Sequence, residues 1–247
     1  MEAISAFQQN GFRPETLLNF TPLDKPAQQH ISKVYAVLAA GVVSTAVGVW
    51  FHTNVMALGG LVSGLVSIGC FIAILTSKSH YDAKNVMSSH RLAYFVGFTF
   101  CKGMSIAGLI HMAGRIDPSI VPTAICGTLA IFACFSAAAL CAKRRQFIFL
   151  GGVLGSFVFY LSMASIANIF FRSRFVMDVN LYGGLMIFMG YVIYDTQMIV
   201  EQYYAGKKDF LVQACELYVD MIAIFIRLLI ILMRNAEKKE DRKKRRS

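Results

Sequence analysis

Apolar blocks of about 20 residues, parted by short polar stretches, fill the chain from residue 34 to residue 233. That length lets an α-helix cross a hydrocarbon core, and the alternating strands of roughly 10 residues that build a membrane barrel are not the pattern seen. Seven spans are predicted: residues 34–51, 56–75, 92–112, a fourth running from the connector AGRIDPSIVP to residue 142, then 147–171, 179–200 and 211–233. The organisation expected is a cytosolic N-terminal segment 1–33, a membrane domain 34–233 and a basic tail 234–247. Gly59, Gly60 and Gly64 in the second span, and Gly151, Gly152 and Gly155 in the fifth, suit close approach of neighbouring helix backbones. Pro118 and Pro122 fall where the fourth helix begins, a place where proline's missing N–H would be unpaired anyway.

The last two spans break the apolar pattern with one aspartate each, Asp195 and Asp220. A charge at membrane depth costs a few kcal/mol even on lenient insertion scales, so such residues persist where they have a task. The short connection EQYYAGKKDF makes the two helices antiparallel neighbours. Asp195 then lies on the order of 6 Å from its helix end and Asp220 roughly 13 Å from its helix start, near the cytosolic mouth and within reach of each other. The seventh span also carries Glu216 and Arg227, which fall with Asp220 within about 60° of arc on a helical wheel. One polar stripe on an otherwise apolar helix predicts an all-α bundle with the C-terminal helix at its centre. A lone cation, Lys102, sits inside the third span and either snorkels or finds a partner on another helix.

Composition agrees with a membrane protein. Of 247 residues, 56% are hydrophobic and 15% charged, against about 25% charged in an ordinary soluble domain. The polar first 30 residues lack a basic stretch followed by an apolar one, so no cleavable signal peptide is expected and the first span serves for targeting. Cys70, Cys101, Cys126, Cys134, Cys141 and Cys215 form no CxxC pair, and the five histidines no HxxxH, so neither a disulfide framework nor a zinc site is expected. No cofactor and no nucleic-acid partner is expected either.

Net charge is +10, and about half of it lies beyond Leu232. A basic run beside a membrane helix marks the cytosolic side and solvates the helix end; binding of anionic lipid or calmodulin is the sharper reading. Loop charges give the orientation. Lys78, Lys84, Arg91, Lys143, Arg144, Arg145, Lys207 and Lys208 collect on the N-terminal side, and chiefly Arg115, Arg172 and Arg174 on the other, which places the N-terminus in the cytosol. Seven full crossings would then carry the basic tail to the far side. Either the last segment stops short or the tail is an exception.

Two carboxyl groups meeting in a low-dielectric site cannot both ionise cheaply, so they share one proton and titrate as a pair. Sharing it pins helix six to helix seven; ionisation of both drives them apart and opens a path. Ionised, Asp195 and Asp220 are also oxygen ligands for a transient calcium ion. Two other roles stay open: each acid could neutralise a cation such as Arg227 or Lys102, or the two could form an intramembrane aspartic protease. The GxGD context of such proteases is absent, YVDMIA standing in its place, and no enzymatic activity is expected.

With these residues in view, the chain resembles the Bax inhibitor-1 family, the transmembrane Bax inhibitor motif-containing proteins. The likeness rests on QQHISKVYA, DPSIVPTAICGT, FACFSAAALCAKRRQFIFLGGVLGS, YDTQMIVEQYYAGKKDF and IFIRLLIILMRN, in that order along nearly the whole chain. It implies a seven-helix bundle with the last helix central, residence in the endoplasmic reticulum membrane, a pH-sensitive calcium leak and suppression of stress-induced cell death. The family's aspartate pair falls on Asp195, in its DTQ motif, and on Asp220. Where some relatives carry an acid and a Gly-Pro in the third span, this chain reads CKGMSIAGLI, and Lys102 in a pore-lining helix would lower cation conduction. The leading expectation is a leak pathway gated by the pair. The alternative is a non-transporting regulator of cell death that works through protein partners, calmodulin among them.

Overall fold

In the computed structural model, residues 24–55, 60–77, 89–142 and 146–244 are described. They form seven helices: α1 Lys25–Asn54, α2 Gly60–Thr76, α3 Ser89–Ile116, α4 Ile120–Cys141, α5 Leu150–Phe171, α6 Arg174–Tyr204 and α7 Phe210–Lys244. Each of the seven predicted spans thus holds one of these helices, residues 56–59 of the second lying outside the described residues, and no strand occurs among the described residues. Five of the helices, α1 and α3 to α6, are long and apolar enough to cross a membrane on composition alone, and α2 is a shorter apolar helix.

α7 takes the centre of the bundle. It packs against α1, α3, α4 and α6, and Leu211, Ala214, Cys215, Leu217, Tyr218, Ile224 and Leu229 are sealed from the surface. Its polar stripe keeps it out of the set recognised by hydropathy, yet that stripe is what an interior helix can carry, because neighbouring helices rather than lipid surround it. α5 lies outermost, packed on α6 with only Leu154 buried, and turns Phe159, Ile169, Phe170 and Phe171 outward. Apolar side chains outside and polar ones within is the arrangement a bilayer solvent favours.

Several helices run past the predicted spans, because hydropathy reports the thickness of the apolar slab and not where backbone hydrogen bonding stops. α1 starts at Lys25, with Pro26 in its first turn. α7 continues through the basic tail to Lys244, so the expected boundary at residue 234 is no break in the helix. Asn168 accounts for the turn after α5: its carbonyl oxygen accepts from Arg172 N, and its side-chain oxygen from Ser173 N at 2.6 Å.

The two ends of α7 settle whether it crosses. At its start, Arg91 grips Asp209 through two hydrogen bonds of 2.7 and 3.2 Å, on the side where α1 begins. At the other end, Arg234 pairs with Asp178 at the head of α6, and Lys239 and Asp117 border one cavity beside the α3–α4 turn. The Asp117 carboxyl is held below the usual carboxylate range by the backbone N–H of Ser119 at 2.8 Å, so it stays ionised near Lys239. From Phe210 to Arg234 the helix rises about 36 Å, more than the roughly 30 Å of a hydrocarbon core. The last segment thus runs from one end of the bundle to the other, and its basic extension leaves at the end opposite Lys25. Of the charges used for orientation, Lys78, Lys84, Lys143, Arg144 and Arg145 lie outside the described residues, as do segment 1–23 and residues 245–247.

The closest helix contact is between α1 and α3. A Cβ on Gly48 would stand 2.2 Å from the carbonyl oxygen of Phe100, and one on Gly103 would stand 2.2 Å from that of Thr45. Thr45 sits in the same crossing, its hydroxyl 2.6 Å from the Tyr218 hydroxyl of α7 and able to donate to the carbonyl of Gly41 or Thr99. Removing the Tyr218 hydroxyl as Tyr218→Phe should lower stability by about 1 kcal/mol, the usual net worth of one buried hydrogen bond. Thermal unfolding of the purified protein in detergent would read it, and an unchanged midpoint would show the bond to be energetically idle.

Candidate functional site

α6 and α7 run antiparallel and bring Asp195 and Asp220 close enough for their side chains to act on each other directly. Carboxylates have only acceptor oxygens, so a hydrogen bond between the two groups would take a proton held between them. Asp220 Oδ2 is buried with no hydrogen-bond partner among the described residues. Among the described residues neither aspartate forms an ion pair. Neutralisation by Arg227 or Lys102 is therefore not what the bundle does with them. Because α6 extends to Tyr204, Asp195 lies about 13 Å from its helix end and Asp220 about 15 Å from its helix start. Equal depth explains why they meet, and it sets them well inside the bundle rather than near its mouth.

The surroundings are a mixed polar cage. Glu216, one turn before Asp220 on the same face, is near enough to Asp195 to act on it electrostatically. Tyr191 and Tyr194 flank Asp195 from its own helix, their rings edge-to-face at 6.2 Å, and both feel its charge. Gly151 of α5 makes room for Tyr194, since a Cβ there would fall 2.6 Å from the ring. The residues after Asp195 anchor α6. Thr196 reaches the Tyr35 hydroxyl of α1 at 3.4 Å; Gln197 accepts from Phe147 N at 2.8 Å and donates to the carbonyl of Ala139 at 3.3 Å. DTQ is thus one carboxyl group and two clamps to three other elements.

Toward the end where α1 begins, a second polar layer covers the pair. His30 Nε2 lies 2.7 Å from Gln213 Oε1, and Gln213 Nε2 donates to Gln202 Oε1 at 2.8 Å. The His30 ring also packs on Tyr203, over which Lys208 sits at 4.8 Å.

Arg227 stands apart from the acids. Its Nη1 donates to the Ala223 carbonyl at 3.1 Å and its guanidinium lies 4.4 Å from the centre of the Phe188 ring. Lys102, half-buried on α3 beside the Gly103 crossing, forms no ion pair among the described residues. Nor does any group of three His, Cys, Asp or Glu among them come together as a metal cage.

A family model described as Inhibitor of apoptosis-promoting Bax1 matches residues 27–237, from the first turn of α1 to the head of the basic extension. The chain belongs to the Bax inhibitor-1 family. Bax inhibitor 1 of Rattus norvegicus is 35% identical over 231 residues, covering 93% of this chain and 96% of the rat protein. The human protein is likewise 35% identical over 231 residues. Bax inhibitor 1 of Arabidopsis thaliana is 36% identical over 248 residues, 97% of each chain. As a Bax inhibitor-1 family member the chain is a multi-pass membrane protein. The tyrosine pair, Gln197 and the His30–Gln213 link were missed in the sequence. Only Tyr191 carried a signal, four residues before Asp195 and so on its face of the helix.

Proposed function

We propose that this protein is a proton-regulated calcium leak of the endoplasmic reticulum membrane, and that by lowering stored calcium it restrains stress-induced cell death. The single observation behind the reading is the approach of the Asp195 side chain of α6 to that of Asp220 on the central helix. While the proton is shared, the pair holds the two helices together. When both groups ionise, like charges in contact repel, and a cation entering from the end where α1 begins meets Glu216, Asp195 and Asp220 in turn. The names of the relatives support the cell-death part, since they describe inhibitors of Bax.

The test is calcium efflux from proteoliposomes holding only the purified protein, followed across a pH series. A pH-dependent flux is expected, absent from empty vesicles; no flux at any pH would overturn the leak.

The extended basic helix favours a second role, recruitment of partners or anionic lipid through residues 234–244. It leaves the bundle opposite the start of α1. A cytosolic N-terminus and cytosolic calmodulin on this tail are therefore incompatible in one topology.

A further inference from the structure

Arg227 is a cation at membrane depth that no carboxylate in the described residues neutralises. Its one hydrogen bond to protein is to Ala223, and its Nε is buried with no acceptor. The fold nevertheless seats it with care. Gly184 of α6 leaves the space it fills, since a Cβ there would stand 2.4 Å from Nε, and Phe188 offers its ring face. A cation without a counter-ion in such surroundings is unfavourable, and a bound anion would lower that cost.

Next to it lies the room for one. A cavity of about 400 Å³ opens between α5, α6 and α7, lined by Arg227 with Ser165, Asn168, Asn180, Ile230 and Arg234. No carboxylate is among its lining residues. Arg234 is already matched by Asp178, and Ser165 and Asn180 are hydrogen-bonded to each other. What remains is a chamber with an apolar wall, Val176, Met177, Leu181 and Ile226 included, that holds one unmatched positive charge.

We propose that this cavity is an oxyanion site, with Arg227 supplying the charge and the Asn168 and Asn180 amides the neutral contacts. Its occupant is a carboxylate or phosphate group, brought either by a small solute or by a lipid headgroup entering between α5 and α7. Guanidinium matches both groups in shape and charge. The site stands independently of the leak, because nothing in it depends on calcium movement.

Ile230 lines the cavity one turn from Arg227 and has no polar role, so Ile230→Cys reports on it. In zwitterionic nanodiscs that cysteine should react about tenfold faster with an anionic methanethiosulfonate than with a cationic one, read from the mass of the peptide carrying residue 230. Arg227→Gln should erase the bias and Arg227→Lys keep it. Protection by millimolar acetate would identify a soluble carboxylate as the occupant, and protection only in nanodiscs containing phosphatidylglycerol would identify a lipid phosphate. Equal rates for the two reagents, a bias that survives Arg227→Gln, or a bias with no protection by either probe would each overturn the site. Should Arg227→Gln fail to fold, the protection measurements on Ile230→Cys alone decide.

Discussion

Gly103→Ala is expected to cost this protein most of its stability. The added methyl would fall 2.2 Å from the Thr45 carbonyl oxygen and 2.9 Å from its carbonyl carbon, backbone atoms that cannot turn aside as a flexible side chain can. α1 and α3 would have to separate by more than an ångström. That opens the Ser44 bond to the Val96 carbonyl and the Thr45 bond to the Thr99 carbonyl, 3.2 and 3.1 Å, and strains the Thr45–Tyr218 link to the central helix. Overpacking against side chains typically costs 1–3 kcal/mol, and here backbone must yield, so a loss of about 3 kcal/mol or more is expected. Gly48→Ala should behave alike, because its own Cβ would meet the Phe100 carbonyl oxygen at 2.2 Å. Gly108→Ala and Gly114→Ala on the same helix meet nothing within 4 Å and serve as controls. Thermal unfolding in detergent should put Gly103→Ala on the order of 10 °C below the controls. If it melts with them, the crossing is more pliant than drawn here.

Those two glycines also mark where the sequence was hard to read. Clusters of glycine drew attention in the second and fifth spans, yet Gly152 meets nothing within 4 Å and Gly60 and Gly64 make only ordinary contacts, with Ser105. Gly48 and Gly103 belong to no glycine cluster, and each matters because of the other. The hint was the stripe Gly41, Thr45, Gly48 on one face of α1, three small residues at helical spacing. Spans, the central last helix and the meeting of Asp195 with Asp220 were legible, because each rests on local hydropathy, a short connection and one helix period. Arg227 was not. Its stripe position next to Asp220 suggested pairing, but seven residues of helix separate the two by about 10 Å, and the side chain turned to Phe188 instead. Which way a long side chain turns depends on the neighbouring helices, and one strand of text does not show them.

Asp220→Asn should abolish the pH response of calcium flux in proteoliposomes, and Asp195→Asn should do the same. An amide keeps the size and the hydrogen bond to the opposite carboxyl group, so the bundle should stay folded while the proton that links α6 to α7 can no longer come and go. The stronger expectation concerns how the two changes combine. If the proton belongs to the pair, either single substitution removes the whole response, and the double substitution removes nothing further. Two independent sensors would instead each carry a share, and the single variants would keep a partial response shifted along the pH axis. Glu216→Gln provides the contrast. That acid acts on Asp195 through space and not by sharing its proton, so the transition should keep its full amplitude, spread over about two pH units, and change only its midpoint. Retention of wild-type pH dependence in both single aspartate variants would leave the contact between α6 and α7 a structural one, with control of any leak lying elsewhere in the bundle.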